Sequence, residues 1–300
     1  MLGVMTRAVD TMRLLALVAL VLLSTVGDAA QRYQRGLLWR LDKPGVPASY
    51  VFGTLHSNDP RVTTLPLPVQ HAFAASTTFA MEVYLSEIEE AEFFEASQFG
   101  DGQRLEPLLG EAAFAQLKRT LGHGAVADDV LSRTKPWAAL LRIATSDQNR
   151  GTATVDRELF VAARERRMTV VGLESVEEQV AAFDGIPIAT QIALLRHALD
   201  HRAELEARLE PTIRAWLAGD LVALSHISHA MAQGDVELAH HYAVLTHHLI
   251  DNRSVLMAHR LFLPLRAGRV FVAVGALHLY GDHGLLALLR AQGYQPHRLY

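Results

Sequence analysis

Two stretches of this chain close an apolar, β-prone run with Gly-x-x-His. The first is Tyr50-Val51-Phe52-Gly53-Thr54-Leu55-His56; the second is Val270-Phe271-Val272-Ala273-Val274-Gly275-Ala276-Leu277-His278. Each reads as a buried strand that delivers one histidine at its carboxyl end, a rigid place for a ligand or a base. The glycine lets the backbone turn or approach a neighbour closely. One such tetrapeptide is weak evidence, but two, each at the end of a β-rich run, make a pattern. If the two strands are neighbours in a sheet, His56 and His278 converge. Glu82, on the predicted strand Thr77 to Val83, is the third candidate. An ionised carboxylate on a buried strand is costly unless it is paired or bound to a metal; the alternative is a solvated strand end. Two histidines and a carboxylate suit an open divalent-metal site for manganese, cobalt, zinc or iron. There a bound water yields hydroxide near neutral pH. The plain alternative is two satisfied histidines in polar loops.

Fifteen histidines invite a different metal reading. Seven of them (His226, His229, His240, His241, His247, His248 and His259) fall in one predicted helical stretch. Pairs such as His240/His247 lie two turns apart on one face, too far for a shared ion. The His-Glu-x-x-His motif of helical zinc sites is absent. These histidines read as surface or packing residues. With no cysteine, thiolate zinc sites, iron–sulfur clusters, a cysteine nucleophile and disulfides are all excluded. A net charge of -4 and few aromatic residues give no footing for nucleic acid.

The elements that must position these residues read as an α/β chain. Residues 1–30 have a basic start, an apolar run from Leu14 to Val26 and small residues at Gly27, Ala29 and Ala30, the pattern of an export signal, the alternative being an uncleaved N-terminal anchor. The mature chain, 31–300, is then expected to be periplasmic or secreted, with no membrane insertion, and to fold as a single domain. Gly36 to Leu41 and Ser49 to Leu55 read as strands joined through the turn residues Pro44 and Gly45. Met168 to Leu173 is a further strand, preceded by an amphipathic helix from Thr154 and followed directly by Glu174. Glu174 is either a site residue or a carboxylate near the start of the helix from Val176. Helical insertions are expected over about 86–150 and 186–266, the second broken near Gly234. Within it Asp251-Asn252-Arg253 is a more polar knot than its surroundings. A helix over about 284–291 and a strand from Tyr294 to Leu299 complete the chain. The predicted fold is α/β, a central mixed sheet flanked by helices, with a large helical block inserted between two α/β portions.

At these residues the sequence resembles the TraB/GumN family, within the broader group that holds the Tiki metalloproteases and the erythromycin esterase-like proteins. The matching pieces run in family order over nearly the whole mature chain: Leu38-Trp39, Gly53-Thr54-Leu55-His56, Met81-Glu82, Lys135-Pro136-Trp137, Asp156, Gly172-Leu173-Glu174-Ser175 with Gln179, Asn252-Arg253, and Val274 to Leu279. The loop Ser57-Asn58-Asp59-Pro60 is a residue or so longer than the family's usual spacing to proline. The resemblance implies an α/β fold built from two related portions and a site holding His56, Glu82 and His278 as metal or water-activating residues, with Arg253 as a site arginine for an oxyanion or a substrate carboxylate. Glu174 and Asp156 match motif positions. It also implies hydrolysis, with peptides as one candidate substrate, since some Tiki-like members are metal-dependent peptidases. The substrate, a peptide or small molecule, stays open. So do a non-catalytic binding protein for metal, haem or peptide, and a metal-independent esterase-like hydrolase with a histidine base.

Overall fold

In the computed structural model, residues 33–84, 86–122, 126–144 and 154–300 are described. The expected leader over 1–30 lies outside them. The core is a six-stranded mixed sheet of order β4-β3-β5-β2-β1-β6. Its strands are β1 (Leu38–Lys43), β2 (Val46–Thr54), β3 (Thr78–Val83), β4 (Thr169–Glu174), β5 (Val270–Gly275) and β6 (Gln295–Arg298). The four strands from β4 to β2 are parallel, and β1 and β6 add antiparallel pairs at one edge. Central β5 is buried along nearly its whole length, as a strand covered on both faces must be. That explains its unbroken apolar sequence. Helices cover the sheet, and none among the described residues is long and apolar enough to cross a membrane.

Register brings the candidate residues to one edge. Thr54 of β2 is level with Gly275 of β5, and Met81 of β3 with Ala273. His56, Glu82 and His278 therefore all lie at the carboxyl end of neighbouring parallel strands, where α/β sheets bind ligands. On β4, Glu174 pairs in register with Val83 and reaches the same edge. An aromatic cluster fixes these strands together. Phe271 lies 6.2 Å from Phe52 and 6.4 Å from Phe79, with Phe73 edge-on at 5.3 Å.

The first strand begins two residues later than the sequence reading placed it. Gly36 adopts φ 121°, and its N–H donates to the Gly219 carbonyl rather than to the ladder. The stretch before Arg253 also departs from a plain α-helix. After the Val236–Thr246 helix, residues His247–Asp251 form a π-helical turn before Asn252–Arg260 resumes the α-helix.

The first Gly-x-x-His glycine is required by packing. A β-carbon on Gly53 would lie 3.0 Å from the Ala276 Cα and 2.8 Å from Leu279 Cδ1, inside the turn that carries His278. Its carbonyl also accepts from the Trp216 indole at 3.0 Å. Gly53→Ala should destabilise the fold by about 1–3 kcal/mol through overpacking, while Gly100→Ala, which meets nothing within 4 Å, should change the denaturant midpoint little. Equal midpoints for the two variants would contradict this packing.

Candidate active site

The site is built around Arg253, which the π-helical turn sets at the start of its helix. Its Nε donates to both oxygens of Glu174 at 3.0 Å, and its Nη2 donates to Glu174 Oε2 and to Glu82 Oε2, each at 2.6 Å. Nη1 donates back to the Leu249 carbonyl at 3.2 Å, within the π turn. Single π turns inside helices recur at functional sites because they re-aim the side chains that follow. The guanidinium is nearly buried, and its two carboxylates hold its pKa above the ordinary arginine value against the effect of burial.

Glu82 carries the rest of the cluster. Its Oε1 accepts from the Gly275 N–H at 2.7 Å and stands 3.8 Å from His278 Nε2. Burial pushes its carboxyl up, but His278, Arg253, His56 and the Gly275 amide outweigh it and bring it to about 2. A β-carbon on Gly275 would lie 3.3 Å from Glu82 Oε1. The second Gly-x-x-His glycine thus leaves room for a carboxylate, where the first leaves room for backbone. On the other side of Arg253, burial raises the Glu174 carboxyl, and the arginine only partly offsets this. Glu174 does not cap the helix after it. Ser175 does, in a capping box with Glu178.

The two histidines differ sharply. His278 sits in the 3-10 turn Ala276–Leu279 with its side chain 3% exposed, and its Nδ1 shares a 2.9 Å hydrogen bond with the Ser254 hydroxyl. Burial depresses its pKa to about 4, despite the nearby Glu82, so it is neutral at physiological pH. His56 has a side chain 68% exposed. Its Nε2 lies 3.4 Å from Oδ2 of Asp156, whose Oδ1 accepts from the Thr54 hydroxyl at 2.7 Å. Asp156 raises the His56 pKa, and burial raises that of Asp156 itself. The longer loop after His56 ends in an N-cap: Asp59 accepts from the Arg61 N–H at 2.8 Å.

A cavity of about 320 Å³ opens at this edge, lined by His56, Glu82, Asp156, Tyr84, Phe93 and Gln179. The Lys135-Pro136-Trp137 motif supports it from behind. Trp137 stacks on Phe183 at 4.6 Å, and both Lys135 and the Trp137 indole hold Asp184. Over residues 37–298 the sequence matches the TraB/PrgY/gumN family. The chain belongs to this family. It is 25% identical to Metalloprotease TIKI2 of Danio rerio, over 89% of this chain and 61% of that protein, and 25% identical to Metalloprotease TIKI1 of Homo sapiens, over 86% and 61%. It is 24% identical to the uncharacterized protein YbaP of Shigella flexneri, over 82% of this chain and 89% of that one. The chain thus spans about three fifths of the metalloprotease relatives. No solved structure matches it significantly.

The family's named metalloproteases make metal dependence a question for these residues. The donors are of a suitable kind, but they stand as two pairs, His278 with Glu82 and His56 with Asp156. Both Glu82 oxygens are already engaged, one of them by a cation. Among the described residues no group of three or more His, Asp or Glu is placed to hold one ion, the histidine-rich helices included. As arranged, these residues do not fit a metal.

Site residues that the sequence left without a role are Asp156 as the partner of His56, and Ser254 as the partner of His278. The buried neutral state of His278 has a measurable consequence. The unfolded chain binds a proton there below about 6.5 and the folded chain only near 4, so stability is full above 6.5 and is lost as pH falls through that window. Relative to His278→Gln, the wild type should lose on the order of 3 kcal/mol between pH 6.5 and 4. Urea unfolding with a chelator present measures it, and parallel stability curves would contradict a neutral buried imidazole.

Proposed function

We propose that the chain is an exported hydrolase that cleaves a carbonyl compound, peptide-like in kind, in the cavity at the carboxyl edge of the sheet. The observation that carries this reading is the exposed His56 facing that cavity with a buried carboxylate behind it. Asp156 draws the His56 ring toward the protonated form, which makes the neutral ring a stronger base for a water in the cavity. Thr54 holds Asp156 in place from the strand itself. His56 takes the proton as the water attacks, and it is placed to return it to the leaving group. Glu82, ionised and fixed by Arg253 and Gly275, gives the cavity a permanent negative wall. Arg253 acts here by orienting Glu82, since its guanidinium is committed to two carboxylates.

Metal dependence, with manganese, cobalt or zinc and through His56, Glu82 and His278, is a finer part of the same proposal and is supported by the names of the relatives. It requires those side chains to move together, so no step is assigned to it here. A periplasmic setting rests on the leader-like residues 1–30 alone.

Two measurements test the proposal. Against a library of peptides and esters, His56→Ala and Asp156→Asn should each lower kcat/KM by about 100-fold or more, the usual contribution of a general base. Activity unchanged in both would overturn the assignment. Elemental analysis after exposure to each metal tests this part separately: near-stoichiometric uptake that is lost in the His56→Ala/His278→Ala chain would show that the donors rearrange around an ion. Uptake that is absent, or indifferent to those substitutions, would remove the metal.

A further inference from the structure

The helix Glu87–Ala96 stands over the cavity and buries none of its residues. Five of its ten residues are glutamates, with no lysine or arginine among them. Like charges this dense cost an exposed helix stability. Those in the first turn complement the helix dipole, but Glu92 and Glu95 lie toward the negative end, where the dipole opposes them. Phe93 points inward, lining the cavity and packing edge-on against Trp137 at 5.5 Å.

On the outer side of this helix a groove of about 840 Å³ separates it from the helix Val176–Asp184. Its floor is apolar, made by Ile88, Ala91, Val180 and Ala181. Ile88 is 69% exposed and presents an apolar side chain to the groove. Glu87, Glu92 and Glu95 form one wall and Glu177 the other, and no basic residue lines it. Asp184, at the far end, is neutralised by Lys135 at 2.7 Å, while Glu87, Glu92 and Glu95 have no cationic partner among the described residues. Val176 lines both this groove and the cavity, so the two are neighbours on either side of it.

We infer that the groove takes the segment of a cationic, amphipathic polypeptide that flanks the bond cleaved in the cavity. This deepens the hydrolase reading and rests on it for the cleavage. Lysine or arginine side chains would meet the glutamate walls, and the apolar residues between them would cover Ile88 and Val180. Charge complementarity of this kind selects partners and speeds encounter more than it adds affinity. The groove is therefore the part of the site that distinguishes a basic polypeptide from an acidic one.

Binding is tested apart from cleavage by using the His56→Ala chain. The probe is a fluorescein-labelled peptide of alternating lysine and alanine/leucine, with a matched peptide carrying glutamate for lysine, both read by anisotropy. The lysine peptide should bind, more weakly at high salt, and the glutamate peptide should not. Glu92→Lys/Glu95→Lys should weaken binding about tenfold or more, whereas Glu111→Lys/Glu237→Lys, an equal charge change on other exposed helices, should alter it less than about twofold. Thermal unfolding confirms that each variant folds. No binding of the lysine peptide, or equal weakening by both double variants, would overturn the groove. Binding lost with the groove variant, but no cleavage by the wild type, would leave the groove standing and remove the hydrolase reading. Cleavage of other substrates without groove binding would do the reverse.

Discussion

One guanidinium bridging two carboxylates is the constraint on which the rest of this site depends. Glu82 and Glu174 lie on adjacent strands at the same buried edge, and without Arg253 they would face each other with no counter-charge. Leaving one partner of a buried ion pair alone costs several kcal/mol, far more than the intact pair contributes. Arginine, with its planar fork, can serve both carboxylates at once, which a lysine ammonium cannot do with the same geometry. The bridge also joins three separate parts of the chain: β3, β4 and the helix that follows the π turn. It fixes Glu82, and Glu82 in turn meets the Gly275 amide and stands near His278.

From that anchor the two halves of the site diverge. The Gly-x-x-His motifs look alike in sequence, yet they serve opposite ends of the acidity scale. His278 is enclosed, held by Ser254 and kept neutral by burial. His56 lies in the open with Asp156 at its side and is drawn toward protonation. Their glycines differ as well: Gly53 admits the backbone of the neighbouring turn, and Gly275 admits a carboxylate. A repeated motif thus frames a single cavity from two sides and gives each histidine a different state.

Much of this was legible in the sequence because strands carry their own signal. The apolar runs ending in His56 and His278, the misfit of Glu82 on a β-prone segment and the strand ending in Glu174 all located residues that the sheet register brings to one edge. The family motifs placed Arg253 among them. What the sequence could not show depends on contacts between distant segments. Asp156 meets Thr54 across 102 residues, and Ser254 meets His278 from a different element, so neither has a local pattern. The π turn before Arg253 leaves no trace in hydrophobic periodicity, and it decides where the guanidinium points. For the same reason the arginine, expected from the family resemblance to hold an oxyanion, sits between two carboxylates in the structure.

The central claim, that Arg253 and its carboxylates hold the site as one unit, is tested most directly by a double-mutant cycle. Stability at neutral pH would be measured for the wild type, Arg253→Met, Glu174→Gln and the chain carrying both substitutions. The account predicts a coupling energy of about 2 kcal/mol or more, with the double variant more stable than the sum of the single losses implies. Additive losses, with a coupling below about 0.5 kcal/mol, would contradict it.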